Sequence, residues 1–437
     1  MKPVSVGILG LGTVGSGTFT VLCRNRDEIA RRIGRDIKVV TAAERDLSTV
    51  SLASTDGVNL IDDAFQVVAD PQVDIVVELI GGDTIAKDLV LQAIGNGKHV
   101  VTANKALIAK YGNEILAAAE QKGVCVGFEA AVAGGIPILK AIREGLAGNK
   151  IQWLAGIING TGNFILTEMR EKGRDFASVL TEAQALGYAE ADPELDVGGG
   201  DAAHKLTILA SLAFGMPLRF ADCYMEGITN MTQMDVAYAE ELGYRIKHLG
   251  IAAKHDNGVE LRVHPTLIPE ARLIANVNGV MNAVLVQADA VGETLYYGAG
   301  AGAEATGSAV IADIVDIART MDGDPSHRVP ALAFQADAMV DLPVLSMDEV
   351  ETSYYLRITA EDQPSVMAEI TRILAEQAIS IEAILQKRPV EAAPQVCIIV
   401  LTHKIIEAKM KLAITNLENQ AFVKGAVIRI RVEHLNR

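Results

Sequence analysis

Short apolar runs rich in β-branched residues alternate, over the first third of the chain, with longer stretches whose apolar positions recur at helical spacing. The runs are VSVGIL from Val4, IKVVTAA from Ile37, IVVEL from Ile75, HVVTA from His99 and VCVGFE from Val124; the helical stretches include 14–32, 84–94 and 111–121. That alternation predicts a parallel sheet wrapped by helices. The middle third is mixed, with strand-like IQWLAGII, IKHLGIAAK, VELRVHP, AVLVQAD and TLYYG among helices over 136–145, 163–171, 176–186 and 201–214. A glycine-rich turn at 298–307 opens a further helix, 308–319. After LPVLSMDEV, read as a linker, the pattern becomes β-α-β-β-α-β: SYYLRITA, helix 365–376, ISIEAILQ, QVCIIVLTH, helix 405–419 and VIRIRVE.

The predicted fold class is therefore α/β in three parts. Residues 1–134, with 303–340 packing back, form a dinucleotide-binding domain of doubly wound type; 135–302 form a separate α+β domain. Residues 341–352 link these to a ferredoxin-like domain over 353–437. With 437 residues the chain exceeds one ordinary core, which fits that division. Because such a tail has its own apolar pattern, truncation after Leu342 is expected to leave a folded core.

Charge and cysteine usage narrow the class of partner. A net charge of −16 argues against nucleic acid, since no basic surface balances phosphate. Mean hydropathy is +0.25, yet no apolar run reaches the roughly eighteen residues a spanning helix needs without a charge or break. The N-terminus runs straight into a strand with no leader-like pattern, and Cys23, Cys125, Cys223 and Cys397 have neither CxxC nor His-paired spacing. A cytoplasmic protein with reduced thiols and no zinc site is expected.

Two stretches carry candidate chemistry. Gly10-Leu11-Gly12-Thr13-Val14-Gly15 follows a strand and opens a helix, the context in which G-x-G-x-x-G binds a dinucleotide pyrophosphate. At the end of the second strand Glu44 suits a ribose 2′-hydroxyl and Arg45 a 2′-phosphate, so the two point to NAD(H) and NADP(H) respectively; the guanidinium tips the reading to NADP(H), with NAD(H) as the alternative. The second stretch, GYAEADPELDVGGGDAAHKL from Gly187, places Glu190, Asp192, Glu194, Asp196 and Asp201 ahead of Lys205. Asp201 and Lys205 are four residues apart at the start of an apolar helix and so share a face. A structural ion pair and a catalytic pair both fit that spacing. Asp196 is the further carboxylate expected in the site, with Asp192 and Glu194 solvated and His204 packed.

Together with TANKAL from Thr102 and NGTGNFIL from Asn159, these stretches closely resemble homoserine dehydrogenase over residues 4 to about 340, and the tail resembles an ACT domain, an amino-acid-binding regulatory module. The resemblance implies NAD(P)H-dependent interconversion of L-aspartate 4-semialdehyde and L-homoserine in threonine, methionine and isoleucine biosynthesis, with threonine as effector, a homodimer or homotetramer, and 135–302 as the substrate-binding and dimerisation domain. It implies Lys205 as acid/base, Asp201 beside it, Lys105 between cofactor and substrate, and Glu190 on the substrate ammonium. Thr102, Gly187 and Gly302 would adjoin the cofactor, and Glu129, Val132, Gly134 and Ile136 would hold a structural sodium ion. Two departures stand out: Gly162 and Ser365 occupy positions where relatives often have a bulkier residue and a glycine. Another Rossmann dehydrogenase of an amino-acid semialdehyde, a divalent-metal hydrolase using the acidic cluster, and a non-catalytic amino-acid sensor are the rival readings.

Overall fold

The computed structural model describes residues 2–50, 52, 57–387 and 395–435. Six parallel strands, β1 Val4–Leu9, β2 Ile37–Ala43, β3 Asn59–Ile61, β4 Ile75–Glu78, β5 His99–Thr102 and β6 Val126–Gly127, run in the order β3-β2-β1-β4-β5-β6. The order reverses between β1 and β4, so the crevice beyond their carboxyl ends is where a doubly wound sheet takes its ligand. The helix read over 14–32 is two helices, Thr13–Arg24 and Arg26–Ile33, interrupted at Asn25. The helix read over 111–121 is Lys105–Lys122, because the Asn104 side chain caps it by accepting from Leu107 N at 3.0 Å.

The helix Ala303–Thr320 returns to this sheet. Val310, Ile314 and Ile317 share one core with Val6, Ile8 and Val77. Gly17 permits the approach: a Cβ there would meet Ala303 O at 2.2 Å.

The remaining strands are β7 Ile151–Ile157, β8 Tyr224–Met225, β9 Tyr244–His255, β10 Gly258–Pro269, β11 Met281–Ala288, β12 Gly292–Ala299, β13 Glu351–Glu361, β14 Ile381–Gln386, β15 Gln395–Thr402, β16 Ile405–Ile406 and β17 Ile428–Val432. They form a single sheet ordered β12-β11-β7-β9-β10-β17-β13-β15-β14, with β8 beside β10 and β16 beside β13. The last four strands of that order, with helices Val366–Glu376 and Glu407–Glu418, have the ferredoxin-like arrangement expected of the tail.

The tail is nevertheless continuous with the rest. β17 lies parallel to β10 through Thr266↔Arg431 and Leu267↔Val432. Arg262, 1% exposed, is held by Glu260 and Glu433; Arg357 Nε lies 2.6 Å from Asp235, and Arg431 joins Glu226 to Glu407. Ile246 and Leu267 share an apolar cluster with Tyr355, Ile399 and Ile430. The stretch read as a linker is itself stitched down, with Val259 N donating to Pro343 O and Leu345 N to Val259 O, both at 2.9 Å. Buried groups on one side have their partners on the other, which weighs against the expectation of a core that stands alone after truncation. Among the described residues no helix is long and apolar enough to cross a membrane.

Candidate active site

The glycine loop is built as its spacing requires. Gly10 has φ +90°, and a Cβ on Gly15 would fall 2.0 Å from Gly10 O, so loop and helix close on each other only with glycine at both. Gly12 faces open space, and the helix that begins at Thr13 and Val14 has no side-chain cap. Its first backbone N–H groups are the donors an anion needs. Glu44 turns toward this loop: its Oε2 accepts from Leu11 N at 2.7 Å and its Oε1 from Arg45 N at 3.0 Å. The neighbouring Arg45 is exposed.

Beyond the carboxyl ends of β4 and β5, a polar chain fixes the start of the helix Lys105–Lys122. The Thr102 hydroxyl, fully buried, donates to Glu78 Oε2 at 2.6 Å and accepts from Asn104 N at 2.9 Å. The Thr102 hydroxyl is thus engaged on both sides within this chain. Glu78, whose Oε1 accepts from Ile80 N and Gly81 N, was not singled out by sequence; burial pushes its carboxyl up.

The helix Gly200–Phe214 carries Asp201 and Lys205 on one face, as their spacing implies. Lys205 Nζ donates to Asp201 Oδ2 and to the Ile158 carbonyl, each at 2.7 Å. Lys105 Nζ, from a different domain, lies 3.1 Å from Asp201 Oδ1. Asn159 caps the helix Gly160–Lys172 through its oxygen, which accepts from Gly162 N at 2.6 Å. Its amide donates to Asp201 Oδ2 at 2.9 Å and to Asp196 Oδ1 at 2.7 Å. Gly162 sits tightly here, since a Cβ would approach the Asn159 oxygen to 3.2 Å. An asparagine before Gly-Thr-Gly signals a cap, but its reach to two distant carboxylates is invisible in sequence.

Burial and charge set these groups apart. Burial pulls the Lys205 ammonium below its ordinary range despite Asp201, with Lys105 adding to the fall. Lys105 is raised, chiefly by Asp201, against burial. Asp201 is wholly buried, which opposes its charge, yet the two lysines hold it well below the usual carboxylate range. Burial raises Asp196. Glu190, Asp192 and Glu194 are exposed, although the charge of Glu190 is among those that raise Lys105. His204 is buried with neither ring nitrogen bonded and stacks on Phe220 at 4.3 Å. Burial lowers it to about 4, so it is a packed neutral ring.

Gly187, with φ +74°, lies just after the helix Phe176–Ala185, and Gly302, with φ +134°, heads the helix Ala303–Thr320. Glu129, also buried, accepts from Leu139 N at 2.9 Å and Lys140 N at 2.8 Å, while its own N–H donates to Asp313 at 2.7 Å. Burial, and then the Asp313 charge, push its carboxyl up to about 7. Val132, Gly134 and Ile136 follow in a tight loop with φ +54° at Ala133 and +40° at Gly134.

A doubly wound nucleotide fold that brings Lys105, just beyond the carboxyl end of β5, onto the carboxylate held by desolvated Lys205 has the arrangement an NAD(P)-dependent oxidoreductase acting on CH–OH requires. Residues 10–129 match the family described as homoserine dehydrogenase, NAD binding domain, and residues 137–315 match homoserine dehydrogenase. A homoserine dehydrogenase of Pseudomonas aeruginosa is 62% identical over 436 residues, covering 100% of both chains. A crystal structure of a homoserine dehydrogenase from Thiobacillus denitrificans superposes with a TM-score of 0.95 at 62% identity, covering 100% of this chain and 99% of that one. A hyperthermophilic archaeal homoserine dehydrogenase in complex with NADPH gives 0.62 at 26% identity, covering 74% of this chain and 99% of that one. The chain belongs to the homoserine dehydrogenase family.

Proposed function

We propose that the enzyme reduces L-aspartate 4-semialdehyde reversibly to L-homoserine, within threonine, methionine and isoleucine biosynthesis, with Lys205 as acid/base. The observation that carries this reading is the fixed ammonium of Lys205. An ammonium has three donors, and two are committed to Asp201 and Ile158, which leaves one for an incoming carbonyl oxygen. The bound nicotinamide supplies the hydride. Lys205 stabilises the developing alkoxide and passes it a proton, aided by the burial that loosens that proton. Asp201 keeps both lysines in place, and Lys105 stays charged between cofactor and substrate. Glu190 takes the substrate ammonium, and Asp196, tied to Asn159, lines the same site.

NADP(H) is the preferred cofactor in this reading, NAD(H) the alternative. Gly10, Gly12, Thr13, Val14 and Gly15 would hold the pyrophosphate, Gly187 and Gly302 would adjoin the nicotinamide end, and exposed Arg45 would meet the 2′-phosphate. Glu44, already turned to the loop, would serve a free 2′-hydroxyl. A sodium ion would be held by Glu129 and the carbonyls of Val132, Gly134 and Ile136, a buried carboxylate followed by a tight loop that turns at Ala133 and Gly134. The enzyme is taken to be a cytoplasmic homodimer or homotetramer controlled by threonine through its tail. At the turn expected to hold that effector Ser365 has φ +77°, the conformation in which relatives use glycine. The deciding assay follows NADPH and NADH oxidation with aspartate 4-semialdehyde; absence of turnover with either cofactor would overturn the reading.

A further inference from the structure

Glu78, the last residue of β4, closes a ring of hydrogen bonds across the carboxyl ends of β4 and β5. Its Oε1 accepts from Ile80 N at 2.9 Å and Gly81 N at 3.3 Å, both in the turn that follows β4. Its Oε2 accepts from the Thr102 hydroxyl, which accepts in turn from Asn104 N. The Asn104 amide then donates back to Gly82 O in the same turn. Glu78, Thr102 and Asn104 are all buried. Among the described residues Glu78 makes no ion pair, so neutral donors meet both of its oxygens.

The two sides of this ring belong to the two halves of the site. The turn lies against the glycine loop, since a Cβ on Gly10 would meet Leu79 O at 2.9 Å and Ile80 Cα at 3.2 Å. Gly81 and Gly82 border open space, which leaves the backbone of the turn accessible. On the other side Asn104 caps the helix whose first residue is Lys105, and Lys105 Nζ lies 3.1 Å from the Asp201 carboxylate that also holds Lys205. At the surface Asp83 meets Lys110 of the same helix at 2.6 Å, a partly exposed pair and so a weak tie. The buried ring is the stiffer link. An apolar side chain at 78 would strand the N–H groups of Ile80 and Gly81 and the Thr102 hydroxyl together.

We propose that Glu78 is a positioning residue for the reaction: it joins the turn against Gly10 and the head of the Lys105 helix into one body, so that a dinucleotide seated on the glycine loop sets Lys105 for the substrate. A carboxyl suits this task because its two oxygens accept from different elements at once, where a single acceptor would hold one side and release the other. A lysine side chain loses much rotamer freedom when it is fixed. A first ligand that has already fixed it leaves less for the second to order, which is positive coupling between the two. The inference rests on the proposed reduction of aspartate 4-semialdehyde and adds to it a link between the two binding steps.

The test compares the full-length enzyme with three variants. Asn104→Ser keeps a side-chain cap on the helix but cannot reach Gly82 O; Glu78→Leu removes both acceptors; Glu78→Gln can still accept from the turn and meet Thr102. L-Homoserine is titrated calorimetrically into each enzyme alone and into its complex with NADPH, two ligands that cannot react with each other. Thermal midpoints, NADPH affinity, and KM and kcat for aspartate 4-semialdehyde are read beside these titrations. In the parent, NADPH is expected to tighten L-homoserine about fivefold or more. Asn104→Ser, melting near the parent, should lose that enhancement and raise KM, with NADPH affinity alone kept within about threefold. Glu78→Leu should do the same, and if it fails to fold Asn104→Ser decides; Glu78→Gln should keep most of the enhancement. Enhancement retained in Asn104→Ser, lost equally in Glu78→Gln, or absent from the parent would overturn the role given to the ring. A parent that neither binds L-homoserine nor turns over the semialdehyde would remove the proposed reaction, and this inference with it.

Discussion

Lys105 and Lys205 meet on the two oxygens of one carboxylate, with Asp201 Oδ1 3.1 Å from the first ammonium and Oδ2 2.7 Å from the second. Asp201 strengthens the hold of Lys105 on its proton, whereas burial and the charge of Lys105 weaken that of Lys205. Lys205 is the more deeply buried of the pair, and burial is the chief reason its proton is the looser one. Replacing it with methionine should lower kcat by about 10²- to 10⁴-fold, the usual worth of a positioned acid, with cofactor affinity near normal. Steady-state kinetics and cofactor titration measure the two effects separately; a kcat kept above about a tenth of the parent's would remove Lys205 from the proton transfer.

Glu190→Gln should act on KM. The residue is exposed, free to meet a substrate, and its charge is already felt at Lys105. Loss of a charge-assisted bond to an ammonium is expected to raise KM for the amino-acid substrate roughly tenfold or more, with a smaller change in kcat. An unaltered KM would assign the loop carboxylate to solvent.

Arg45→Ala should shift the ratio of kcat/KM values away from NADP(H), because the lost guanidinium can meet only the 2′-phosphate. Glu44→Gln, which keeps an oxygen for Leu11 N while removing the charge, should shift the ratio the other way. Initial rates with both cofactors for both variants test the pair; an unmoved ratio in Arg45→Ala would mark that arginine as a surface charge.

Sodium and pH should act together at Glu129. Its folded carboxyl is raised to about 7 from the ordinary 4.5, so without a cation its contribution is full below the lower value and is lost as pH rises through the higher. A bound cation competes with that proton. Sodium chloride should therefore raise the thermal midpoint relative to choline chloride, and more at about pH 8 than at about pH 6. Equal midpoints in the two salts at both pH values would count against the site.

Truncation after Leu342 should yield an unstable, aggregation-prone core. It removes β17 from the edge of β10, Arg357 from Asp235 and Glu433 from Arg262. An uncovered strand edge and buried charges stripped of partners are both costly. Yield, light scattering and thermal melting of the truncated chain test this; a monodisperse core melting near the parent's midpoint would show the seam to be dispensable.

Much of the architecture was legible because periodicity reports which face of a strand or helix is buried, and the order of strands and helices followed. The glycine fingerprint and the Asp201–Lys205 spacing were legible for the same local reason. What sequence hid was pairing at a distance. Nothing in VELRVHP or VIRIRVE says that β10 and β17 adjoin, and nothing in Asn159 says that its amide reaches Asp196 and Asp201. Glu78 escaped notice because a lone carboxylate at a strand end gains meaning only when Thr102 lies beside it.

The join between β10 and β17 is two residue pairs wide. Beside it Arg431 reaches Glu226 and Glu433 reaches Arg262, so the tail and β10 are tied by charge as well as by backbone. β10 is laced to β9 along its whole length, from Gly258↔His255 to Pro269↔Tyr244, and β9 carries His248. Through β9 the seam with the tail is thus continuous, strand by strand, with the imidazole that holds the Glu226 carbonyl.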